Sequence, residues 1–140
     1  MTPTQSLVTA CASLVCLTFI VGMRMLLVRV KEMRNNRISP QSIALSLQRA
    51  QKFTDSRASD NFNNLFEVPV LFYALCLVAI GSRHIPDWLP ALAWAFVFLR
   101  FLHSAIQCSY NNVMHRFYVF GAGFFLISMM WVAYAISVNA

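Results

Sequence analysis

Arg57-Ala-Ser-Asp-Asn-Phe-Asn-Asn-Leu-Phe-Glu-Val-Pro69 runs straight into Val70-Leu-Phe-Tyr-Ala-Leu-Cys-Leu-Val-Ala-Ile80. The two together are long enough to make most of a membrane span. Read as a helix, Arg57, Asp60, Asn64, Glu67 and Leu71 recur at intervals of three and four, which places them on one face. A cation, two carboxylates and an amide then form a stripe that enters hydrocarbon. Charged side chains at membrane depth cost roughly 2.5–3.5 kcal/mol each on insertion scales. Such a stripe must face protein or trapped water, and is a candidate functional site.

The rest of the composition agrees with a membrane setting. Charged residues make up 11% of the chain, against about 25% in soluble domains, and the mean hydropathy is +0.60. At 140 residues the chain is expected to be a single domain, 1–140, with its chemistry in or beside the bilayer. The net charge is +6, and most of it lies between Arg24 and Arg57. A nucleic-acid patch would need such charges, but a cytoplasmic loop obeying the positive-inside rule accounts for them, so no nucleic-acid partner is expected. Lipid headgroups suit the same charges. Cys11, Cys16, Cys76 and Cys108 lie in apolar runs without a Cys-x-x-Cys pair, so neither a disulfide framework nor a metal site is expected.

Four spanning helices are predicted, at about 6–30, 53–81, 87–110 and 115–138. In the first, the positive charges follow the apolar run, the reverse of a cleaved signal, so it is read as retained. Ser39-Pro40 resembles a helix start, with Ser39 as N-cap and Pro40 in the first turn. In the second helix Pro69 should bend the axis one turn above the polar stripe. The third carries a stripe of its own, with Arg100, His103, Gln107 and Tyr110 spaced by three, four and three. The fourth opens on Arg116 and contains Gly121-Ala-Gly123, a small-residue patch suited to close packing. Loop charges place both termini outside the cytoplasm, and the polar residues of helices two and three then converge with Arg116 near its inner face. The expected location is a bacterial inner membrane.

Cations and amides at such a boundary suit an anionic polar ligand, and apolar helix surface beside them suits a lipophilic partner. Arg57, the run Asn64-Leu-Phe-Glu67-Val-Pro69, Arg100-Phe-Leu-His103 and Arg116 together resemble the MAPEG family, the membrane-associated proteins in eicosanoid and glutathione metabolism. The resemblance implies an all-α, four-transmembrane-helix bundle assembling as a homotrimer, with glutathione as co-substrate between subunits. It implies a transferase or peroxidase acting on hydrophobic electrophiles or lipid hydroperoxides. By the same resemblance Asn64 and Glu67 hold the glutathione backbone, Arg29, Arg57, Arg100, His103, Gln107 and Tyr110 contribute to binding, and Arg116 stabilises the thiolate.

Three positions depart from the pattern. Asp60 stands where several members have an arginine, Gln107 where eicosanoid-forming members have a tyrosine, and Phe120 where the family has another tyrosine. These losses leave open an alternative of another class, a non-catalytic lipid-binding scaffold. Individual residues also have structural readings. Glu67 could pair with Arg57 or Arg100 to fix helix register, Asn64 could be an interhelical hydrogen bond, His103 a packing residue, and Arg116 a snorkelling anchor.

Overall fold

The computed structural model describes residues 1–139, the side chain of Ser46 excepted. It is all-helical, and no strand occurs among the described residues. Helix α1 spans Pro3–Asn35, α2 Ser46–Lys52, α3 Arg57–Asn64, α4 Val68–Gly81, α5 Trp88–Cys108 and α6 Val113–Asn139; a single 3₁₀ turn lies at Pro40–Ile43. Among the described residues, four stretches are long and apolar enough to cross a membrane: Pro3–Asn35, Arg57–Gly81, Trp88–Cys108 and Val113–Asn139.

Local chemistry explains where α1 begins. Thr2 accepts the Gln5 N–H through its hydroxyl at 3.2 Å, while the Gln5 side chain accepts the Thr2 N–H at 2.9 Å. This reciprocal capping box satisfies two donors that a helix start otherwise leaves orphaned. The inward face of α1 is Leu7, Ala10, Leu14, Leu17 and Val21, a three–four repeat that makes one apolar seam. The helix runs past the predicted end at 30, to Asn35, where the chain turns through Arg37 in the left-handed region at φ 50°.

The basic loop differs from expectation in one respect. Ser39 does stand at the N-cap with Pro40 behind it, but its side chain caps nothing, and only the 3₁₀ turn follows. The surface helix forms later, as α2. Glu32 anchors the segment after α2. Its carboxylate accepts the Thr54 hydroxyl at 2.7 Å and the backbone N–H groups of Thr54 and Asp55 at 3.1 Å each.

The second span is interrupted between α3 and α4, at Leu65–Glu67, where one bent helix was expected. Glu67 leaves the helical region, with φ −95° and ψ −92°. Pro69 has no N–H for the Leu65 carbonyl, and its ring would strike that carbonyl in a continuous helix. Residue 68, preceding a proline, is itself biased away from helical geometry. The helix therefore restarts instead of bending.

Seams of the same kind close the bundle. Leu89, Ala93, Phe96, Arg100, His103 and Gln107 face inward from α5, and Gly123, Ile127, Met130 and Tyr134 from α6. Phe72 and Phe96 stack with ring centroids 4.9 Å apart. At the end away from the basic loop, Tyr134 donates to the His84 carbonyl at 3.2 Å and lies 2.8 Å from the Ser82 hydroxyl. Midway, the Trp131 indole donates to the Leu71 carbonyl at 3.1 Å. α6 takes its N-terminal cap from Asn112, whose side-chain oxygen accepts the Met114 and His115 N–H groups.

Candidate functional site at the basic end of the bundle

Polar groups from α1, α3, α5 and α6 meet at the basic end. Arg24 donates to the Cys108 carbonyl at 2.5 Å and Arg57 to the Ser109 carbonyl at 2.6 Å. These bonds satisfy the carbonyls of the last residue of α5 and of the C-cap residue that follows it, where a helix end leaves carbonyls without an intrahelical partner.

Arg100 is the largest fully buried side chain, 1% exposed. Its guanidinium lies between the rings of Phe96 and Phe120, 5.3 and 5.2 Å from their centroids, and donates to the Phe120 carbonyl at 3.4 Å. Cation–π contacts of this kind strengthen when desolvated. Nε is the one buried side-chain nitrogen or oxygen without a partner among the described residues. The cation fits because residue 123 is glycine: a Cβ there would collide with Nη2 and lie 3.1 Å from Cζ.

One turn further along α5, His103 opens onto a cavity of about 210 Å³ lined by Asn64, His103, Val113, Arg116, Phe117 and Phe120. No carboxylate lines it. Arg116 reaches it from the first turn of α6, with Nη1 donating to the Asn111 side chain at 2.9 Å. Asn64 donates to the buried Gln107 amide oxygen at 3.1 Å. Asn64 and Gln107 thus support each other from adjacent helices, with Asn64 bordering the cavity. The ion pair of Arg57 and Asp55 is the one found among the described residues, so neither Arg100 nor Arg116 has a carboxylate partner there.

The remaining candidates lie apart from this cavity within one chain. Glu67, at the break between α3 and α4, is exposed and is not among the lining residues. Arg57 is held by Asp55 through two bonds, at 2.9 and 2.8 Å; these bonds hold the Asp55 carboxyl below its usual range. Tyr110 is 62% exposed, its hydroxyl 3.1 Å from His115 Nδ1. Arg29 donates to Ser59 at 2.8 Å and borders a different cavity, which shares no lining residue with that of Arg116. Asp60 borders that second cavity too, where it accepts the Ser56 hydroxyl at 2.7 Å.

The inward stripe of the second span sits one position along from the polar one. Ala58, Asn61, Leu65, Val68 and Phe72 are buried, whereas Asp60, Glu67 and Leu71 are exposed. Asn61 is therefore the polar group the sequence reading overlooked. It is fully buried, accepts the Ser104 hydroxyl at 3.3 Å and donates toward the Cys108 sulfur at 3.4 Å. Its three–four register with Ala58, Leu65 and Val68 was the available signal.

Four long apolar helices define an integral multi-pass membrane protein, and Arg116, His103 and Asn64 share a small cavity with three apolar side chains at one end of it. The chain matches the model of the MAPEG family over residues 7–136 and belongs to that family. No curated protein and no solved structure matches it. Membership supports a membrane glutathione-related transferase, peroxidase or related function in general, and members of the family generally use glutathione.

Proposed function

We propose that the protein is a membrane glutathione transferase or peroxidase in which Arg116 holds the glutathione thiolate, acting on hydrophobic electrophiles or lipid hydroperoxides. The observation that carries this reading is the cavity of Asn64, His103 and Arg116, with cationic and amide groups and no acidic lining. An anion is the ligand that such a lining lacks. A free thiol titrates near 8.5, and a fixed cation within about 4–6 Å lowers a pKa by roughly 1–3 units. Arginine supplies that charge without itself deprotonating. The thiol proton leaves to water. The sulfur then attacks an electrophilic carbon and displaces its leaving group, or attacks the outer oxygen of a hydroperoxide, so that an S–O bond forms, the O–O bond breaks and the departing alkoxide takes a proton from water; a second glutathione thiol then attacks the resulting sulfenic acid, giving the disulfide and water.

At about 210 Å³ the cavity falls short of the roughly 300 Å³ at which small-molecule sites begin. It suits the cysteinyl part of glutathione. The rest would extend over the chain surface toward Glu67, which takes the α-amino group, and toward Tyr110. Both are exposed, which supports a homotrimer whose neighbouring subunit completes the site. The Phe117 and Phe120 rings in the same lining suit the lipophilic partner. The scaffold reading draws on the Asn64–Gln107 bond, which already occupies one donor of Asn64. Titration with glutathione, followed by thiolate absorbance in the ultraviolet, distinguishes the two. Thiolate that forms in the wild type and is lost in Arg116→Ala supports the enzyme; absence of glutathione binding at millimolar concentration favours the scaffold.

A further inference from the structure

A second site lies on the other side of α3, between α1, α2 and α3. Its polar part is a cavity of about 580 Å³ at the basic end, bordered by Arg29 of α1, Arg49 of α2, and Asp55, Ser59 and Asp60. Arg49 is near enough to Arg29 to repel it, and among the described residues no carboxylate forms an ion pair with either. Asp55 is neutralised by Arg57. Two like cations and the single unneutralised carboxylate of Asp60 leave the cavity net positive.

Met25 borders this cavity and also the next, an apolar groove of about 440 Å³ that follows α1 toward Val15 between Phe62, Leu65 and Tyr73. From Met25 to Val15 the helix rises roughly 15 Å. One leaflet of a hydrocarbon core about 30 Å thick has the same depth. Gly22 keeps the groove open, since a Cβ there would already press on the Phe62 ring at 3.1 Å.

We propose that this composite cavity is a binding site for an anionic phospholipid, with its phosphate between Arg29 and Arg49 and one acyl chain in the groove along α1. Asp60 accepts hydrogen bonds from head-group hydroxyls beyond the phosphate, which favours phosphatidylglycerol over phosphatidylcholine, whose head has no donors. The site requires neither glutathione nor the Arg116 cavity, so its test is independent of the enzymatic reading.

The test is native mass spectrometry of the purified full chain in detergent, with palmitoyl-oleoyl phosphatidylglycerol or phosphatidylcholine added. The wild type should retain phosphatidylglycerol preferentially. Arg29→Gln with Arg49→Gln should weaken retention about tenfold or more, since each interfacial cation contributes appreciably to anionic-lipid binding. Arg34→Gln with Arg37→Gln removes the same charge outside the cavity and should leave retention unchanged. Gly22→Leu should weaken it by filling the groove. Helicity and melting of every variant are measured alongside, and the Arg34/Arg37 pair keeps the comparison decisive if Gly22→Leu fails to fold. Equal retention of both lipids, an equal loss in the two double variants, or displacement of the lipid by inorganic phosphate alone would overturn the proposal.

Discussion

Adding one methyl group at Gly123 should dislodge the most deeply buried cation in the protein. The new Cβ would overlap Arg100 Nη2 and approach Cζ and Nε to 3.1 and 3.3 Å. The guanidinium cannot slide sideways, because Phe96 and Phe120 flank it. Overpacking of a filled interior costs about 1–3 kcal/mol. Losing the bond to the Phe120 carbonyl adds toward the upper end, since bonds to charged groups contribute roughly 1.5–3 kcal/mol and this one is long, at 3.4 Å. Gly123→Ala should therefore destabilise by about 2 kcal/mol, within the overpacking range. Helicity in mixed micelles, titrated with a denaturing detergent, measures it. The same substitution placed on Arg100→Met separates cause from coincidence, because the clash needs the guanidinium. In that background the cost should fall by about 1 kcal/mol or more, a coupling expected of residues in direct contact. Equal costs in both backgrounds would refute the reasoning.

Other expectations follow from the same structure. Arg100→Met alone should leave stability unchanged or raised, because a buried cation with no carboxylate partner is costly at membrane depth; glutathione binding should fall in the same variant if the proposed function holds. Asn61→Ala removes the partner of Ser104, and interhelical hydrogen bonds in membranes average about 0.6 kcal/mol and reach about 1.7; the same unfolding assay applies, and a larger loss would mean that helix packing failed as well. Glu32→Ala frees three donors around Thr54, so amide exchange at Thr54 and Asp55 should accelerate while the spans stay protected. The Asp55 carboxyl is held below its usual range by Arg57. Its contribution to loop order is present above the unfolded carboxylate value near about 3.9 and is lost as pH falls through the lower folded value. Proteolysis of the loop should therefore rise only in strongly acidic buffer, and Asp55→Asn should show the acid level of cleavage at neutral pH.

Much of the protein could be read before folding was considered. Four spans, their order, and the gathering of arginines, amides and histidine at one end follow from hydropathy, loop charge and three–four spacing, because in lipid every backbone group must be satisfied within its own helix. The α5 stripe of Arg100, His103 and Gln107 was legible for that reason, since all three are buried. The second span was less so. Spacing identifies a face but not which face turns inward, and the buried stripe of Asn61 and Leu65 lies one residue from the polar stripe of Asp60 and Glu67. The break at Leu65–Glu67 left no trace in the spacing, because the buried stripe keeps its three–four register across it.

Sequence alone therefore determined the class of the chain, because burial of backbone polar groups in a bilayer leaves few architectures. Tertiary structure decided the partners. It put Arg29 beside Arg49 and away from Arg116, sealed Arg100 against Gly123, and left Glu67 on the surface. Those outcomes depend on helix rotation and on contacts between residues far apart in the chain, and no local pattern encodes either.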